Sequence, residues 1–130
     1  MSNINLSKLT NKAEKYLKTA EIVINYGDYD TAISRIYYSM FYMVKSLLIT
    51  KNVSTKTHSG TLNKFSETFI KTKIFSEEIG KSFTTAYEKR LQGDYDFTSV
   101  LKKDEVKNFL KIGKEFVNTL LIYLKSNKFV

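Results

Sequence analysis

Apolar residues return at three- and four-residue steps along almost the whole chain, and no proline interrupts them. That period marks helices with one apolar face. Without proline, no helix has to be broken or kinked by one. No run shows the two-residue alternation of a half-buried strand. The expected fold is therefore all-α, an antiparallel bundle of four to five helices with short connections. The 130 residues suit a single domain, 1–130, that buries one core without staples.

The stripes place the helices. Leu6, Leu9, Ala13, Tyr16, Leu17, Ala20 and Ile24 share one face of a helix from about 5 to 26, which Gly27 and Asp28 stop. A second helix from about 29 to 51 carries Ile33, Tyr37, Met40, Val44, Leu47 and Leu48 on one line. Arg35, Tyr38 and Tyr42 make a second line beside it, so this helix is central or faces a partner. Residues 52–59 read as a loop, and a short helix is expected from about Gly60 to Thr72. Ser76 with Glu77 and Glu78 opens the next helix, since acids suit the positive end of the helix dipole. Its inward line ends on Arg90, and Gly93 is expected to close it, leaving 94–102 as a connection. From about Asp104 a last helix turns Val106, Phe109, Leu110, Gly113, Phe116, Val117, Leu120, Leu121 and Leu124 inward.

Composition removes several chemistries. The chain has no cysteine, hence no disulfide, thiolate nucleophile or Cys-based zinc site, and its one histidine, His58, cannot make a multi-His metal site. There is no Gly-rich phosphate loop, HExxH or GxSxG. Asp94 and Asp96 lack an obvious third ligand, so no metal and no other cofactor is expected. The apolar runs are far shorter than the about 20 residues a membrane span needs, and no signal peptide is visible, so a cytoplasmic protein is expected. The net charge of +8 favours polyanionic partners such as nucleic acid, acidic proteins or anionic membrane surfaces, although a lysine-rich soluble surface accounts for the same number. Only Arg35 and Arg90 are arginine among 21 basic residues, which marks them as positions that use the planar fork.

Three segments could carry chemistry. Arg90 continues an apolar stripe, so its charge needs a partner; Asp94, one turn on, could pair with it, or the guanidinium could grip a phosphate. Arg35, Tyr38 and Tyr42 present polar tips that could reach toward Arg90 and Asp94, whereas Tyr37 is expected to be core with its phenol bonded to backbone. His58, beside a helix start, is the side chain whose ordinary pKa lies near neutrality.

The set of motifs in this order resembles the HEPN superfamily, and within it the stand-alone subfamily with an R-x-Y-Y-x-x-F helix, an H-x-G step and an R-x(3)-D-Y turn. Here these are Arg35 to Phe41, His58 to Gly60 and Arg90 to Tyr95, led by Asp28-Tyr29-Asp30-Thr31-Ala32. The resemblance implies a helical bundle, often a homodimer, and in many relatives the toxin half of a toxin–antitoxin pair whose partner is a minimal nucleotidyltransferase. Active relatives are metal-independent endoribonucleases with an R-x(4–6)-H motif. In some, a tyrosine two residues after that histidine is adenylylated. Counted from Arg90, the histidine position at the shortest spacing is Tyr95 and the modified position is Phe97. The ribonuclease motif is thus incomplete, and Tyr95 becomes the substitute candidate for modification.

Two functions of different class follow. One is a toxin-type protein that cleaves RNA, with Arg90, Asp94, Tyr95 and His58 as catalytic candidates and Arg35 and Tyr38 as binding residues. In that case Arg90 would be the cation on the pentavalent phosphorane, and a base and an acid must move two protons. The other is a non-catalytic HEPN module that binds RNA, a nucleotide or a protein partner. A helical assembly subunit with no site is a third reading.

Overall fold

The computed structural model describes residues 3–95 and 100–130. They form five α-helices: α1 (Asn3–Asn25), α2 (Tyr29–Thr50), α3 (His58–Phe65), α4 (Glu77–Tyr95) and α5 (Lys103–Ser126). A single π-helical turn, Ser66–Ile70, continues α3. No strand occurs among the described residues.

Sharp turns and caps set the helix ends. Gly27 takes φ +79°, a left-handed conformation that ends α1 at little steric cost. The Asp28 side chain then accepts a hydrogen bond from the Thr31 amide at 3.3 Å and starts α2. With so short a turn, α1 and α2 pack along each other as an antiparallel hairpin. α2 also meets α3, α4 and α5, so it is the central helix. Ile36, Tyr37, Met40, Met43, Val44 and Leu47 are all fully buried on it. α5 lies close against α2: a Cβ placed on Gly113 would be 2.7 Å from Cγ2 of Ile36. A Lys114–Glu21 ion pair ties α5 to α1 on the outside. An aromatic seam of Phe65, Phe69, Phe75, Phe83 and Phe116 packs α3, its π turn, α4 and α5 together. No described helix is long and apolar enough to cross a membrane.

Three boundaries differ from the expected ones. α3 starts at His58, because Thr57 caps it by accepting from the Gly60 amide at 2.9 Å. The segment expected to run as one helix to Thr72 widens into a π turn after Phe65. Gly93 does not end α4, which continues through Asp94 to Tyr95. Glycine stops a helix when the chain turns left-handed there, as at Gly27; Gly93 is not among the positive-φ residues and stays helical. Asp96 and Phe97 lie outside the described residues.

Candidate functional site

The second helix carries a line at four-residue steps, Tyr37, Phe41 and Lys45, with Tyr38 beside it. Lys45 fixes the loop that follows. Its ammonium donates to the carbonyl of Thr55 at 3.2 Å and to its Oγ1 at 3.1 Å. Thr55 Oγ1 is 2.6 Å from Oγ1 of the fully buried Thr61. These bonds bring the start of α3 back over α2, and His58 arrives on the Tyr37 line.

His58 is held on several sides. Its Nδ1 lies 2.7 Å from the Tyr37 hydroxyl. The ring sits 4.8 Å from Phe41, edge-on to Tyr38 at 5.9 Å, and stacked on Tyr87 of α4 at 5.8 Å with 15° between planes. Tyr37 is completely buried. Burial raises its phenol pKa well above the ordinary value, against a smaller opposing pull from Arg90, so it stays protonated. Burial also lowers the His58 pKa below its ordinary value, and the nearby cations Arg90 and Lys45 lower it further. The imidazole is neutral at pH 7.

Arg90 reaches the same platform from α4. Its guanidinium carbon lies 5.1 Å from the Tyr38 ring centre and 5.7 Å from that of Tyr37. Asp94, one turn later, is 3.5 Å from it. The side chains are 21% and 44% exposed, so this is a bridge open to solvent at its carboxylate end. Arg90 is therefore seated on aromatic faces and only partly neutralised.

The fold thus brings Arg90, Asp94, Tyr38 and His58 to one corner. It takes Arg35 elsewhere. That guanidinium lies 4.7 Å over Tyr16 of α1, where Tyr42 and Lys12 also gather. Arg35, Tyr38 and Tyr42 share a line on α2, but its members meet different helices. Tyr38 meets α4, while Arg35 and Tyr42 meet α1. Tyr37 also corrects its sequence expectation, since its phenol bonds to His58 and not to backbone. Tyr95 closes α4, and its side chain lies outside the described residues. The sequence reading placed Phe41 in a motif and Tyr87 on an inward line but counted neither of them, nor Lys45, among the site residues. Their signals were spacing: Tyr87 precedes Arg90 by three residues, and Phe41 and Lys45 follow Tyr37 by four and eight. Among the described residues no cluster of three or more His, Cys, Asp or Glu could hold a metal ion.

Comparison with known proteins decides the family. The HEPN domain matches residues 6–123. The chain belongs to the HEPN family. It is 46% identical over 93% of its length to a Methanocaldococcus jannaschii protein named "Putative toxin MJ0142", covering 82% of that protein. A second protein of the same organism, "Putative toxin MJ0605", is 31% identical over 87% of this chain and 84% of its own length. A Thermotoga maritima "UPF0332 protein" is 31% identical over 84% of this chain and 83% of its own length. The matches to these three proteins cover 84% to 93% of the HEPN chain.

Proposed function

We propose that this HEPN protein is a toxin-type protein that acts on RNA in the cytoplasm, as a metal-independent endoribonuclease. A homodimer and a separately encoded minimal nucleotidyltransferase antitoxin complete the proposal. The observation that carries it is the meeting of Arg90 from α4 with His58 from α3 on the Tyr37–Tyr38 platform. A guanidinium seated there offers a fork to a phosphodiester. In cleavage the RNA 2′-hydroxyl loses its proton and attacks phosphorus. The P–O5′ bond breaks, and the leaving oxygen takes up a proton. Arg90 bears the charge that builds on the phosphorane oxygens. His58 brings a neutral imidazole to the same phosphate, as proton acceptor or as hydrogen donor according to which ring nitrogen carries the hydrogen. The names of the two Methanocaldococcus relatives and the net charge of +8 support the reading.

The test is RNA cleavage by purified protein in EDTA, wild type beside Arg90→Ala. Cleavage lost with Arg90→Ala is the expected result, and full cleavage by that variant overturns the role of Arg90. One observation favours a second reading, binding without cleavage: Tyr95 stands at the position of the family's motif histidine. In that case the wild type binds RNA in a strongly salt-dependent way and leaves it intact.

A further inference from the structure

The Tyr37 hydroxyl is a protonated phenol in a fully buried residue, so its hydrogen needs an acceptor. Among the described residues its one hydrogen-bond partner is Nδ1 of His58, at 2.7 Å. A phenol donating to Nδ1 requires a lone pair on that nitrogen. In a neutral imidazole the ring hydrogen then sits on Nε2. The opposite tautomer would put two hydrogens between the rings, or leave the phenol hydrogen inside the core without a partner. His58 is only partly buried, and with Nδ1 turned to the buried phenol the far edge of the ring carries Nε2.

We propose that Tyr37 is a positioning residue that fixes His58 as an outward-facing Nε2–H donor, which with the Arg90 guanidinium binds a phosphodiester oxygen of RNA. The use of the donor rests on the RNA reading above; the tautomer does not. The groups facing the imidazole agree with it. Arg90 on α4 and Lys45 on α2 are both cations and oppose a second proton on the ring. Tyr38 and Phe41 of α2 and Tyr87 of α4 enclose it without contributing a carboxylate. The ring is thus a neutral donor beside a cation, which is complementary to a single negative charge. A base needs a lone pair directed at the substrate, and this tautomer has none on Nε2. Any base for the 2′-hydroxyl is then a different group.

The chain has one histidine, so its two ring nitrogens give one unambiguous set of long-range proton–nitrogen correlations. At neutral pH we expect a pyridine-like Nδ1 and a pyrrole-like Nε2. Tyr37→Phe should pull both nitrogen shifts toward each other as the two tautomers mix. A pyrrole-like Nδ1 in the wild type, or shifts unmoved by Tyr37→Phe, overturns the positioning role. The donor is tested separately, by binding of a labelled single-stranded RNA. His58→Ala should weaken binding about tenfold, the scale of one hydrogen bond to a charged group. His58→Gln, which returns an amide N–H near the place of Nε2, should recover most of that loss. Glutamine as weak as alanine overturns the donor. No RNA binding by the folded wild type overturns the function and the use of the donor, while the tautomer result still stands.

Discussion

The two arginines of this chain have similar seats and different neighbours. Each is half-buried and each lies against tyrosine, Arg35 over Tyr16 and Arg90 over Tyr38 and Tyr37. A lysine joins the first cluster, with Lys12 over Tyr42. The second cluster adds a carboxylate and the only histidine of the chain. A cation–aromatic contact therefore does not by itself mark a site, since it packs two helices equally well. What sets Arg90 apart is a neighbour whose proton it influences.

The largest contrast is expected in RNA chemistry. Arg90→Ala should lower RNA cleavage on the order of 100-fold, the scale of losing one charge-stabilising donor. Arg35→Ala should stay within about threefold, roughly half a kcal/mol, because its guanidinium lies over Tyr16 and away from His58. Rates for both variants in EDTA settle it, and equal losses would erase the distinction. In a binding-only protein the same order should appear in RNA affinity.

The next contrast compares the rings. Tyr37→Phe strands Nδ1 of His58 and removes a part-buried hydrogen bond, so it should cost about 1 kcal/mol in urea unfolding. Tyr16→Phe keeps the ring beneath Arg35, and no hydrogen bond of the Tyr16 hydroxyl occurs among the described residues. It should stay within about 0.5 kcal/mol. Equal costs would mean that the Tyr37–His58 bond adds nothing to the fold.

Acid sharpens the same comparison. The folded pKa of His58 lies below its unfolded value of about 6.5. As pH falls through 6.5 the unfolded chain takes a proton that the folded chain refuses. Stability from this residue is therefore complete above that pH, drains away below it, and levels off beneath the folded pKa. Wild type should lose more stability than His58→Gln between about pH 7.5 and pH 5.5. Arg90→Ala should raise the His58 pKa and narrow that loss, while Arg35→Ala should leave the NMR titration of His58 in place. A His58 titration that follows Arg35 and ignores Arg90 would reverse the assignment.

These clusters also show where a sequence speaks and where it is silent. The stripes of α1, α2 and α5 are local patterns of burial, and their core residues are readable one by one; Ala13, Ile33, Met40 and Leu120 all lie inside. The Arg90–Asp94 pair is legible too, since it spans one turn of one helix. Gly93 misled because a glycine breaks a helix only where the chain turns left-handed, and its sequence neighbours do not reveal that. The π turn after Phe65 was hidden because Phe65 and Phe69 fit an ordinary helix; the packing of both rings on Phe75 involves the turn beyond. The site was hidden most. His58 meets Tyr37 across 21 residues, and the loop path that joins them depends on Lys45 reaching Thr55. Likewise Arg35 and Tyr38 share one line in sequence, yet neighbouring helices divide them.

The smallest effect belongs to Asp94, and it separates two roles that the same bridge permits. The pair spans one turn and its carboxylate is 44% exposed, so solvent screens it. Asp94→Asn should cost at most about 0.5 kcal/mol of stability, as exposed pairs of this spacing do. It also frees the Arg90 fork from a competing anion, so RNA affinity should hold or rise slightly. The informative quantity is cleavage at saturating RNA. A rate that follows affinity makes Asp94 a tether that holds the guanidinium over Tyr38. A rate that falls about tenfold or more while binding holds makes its carboxylate the proton acceptor that His58, with its hydrogen on Nε2, does not provide. Weaker RNA binding would contradict the competition argument itself, because it would mean that the carboxylate orients Arg90 toward phosphate more than it occupies it.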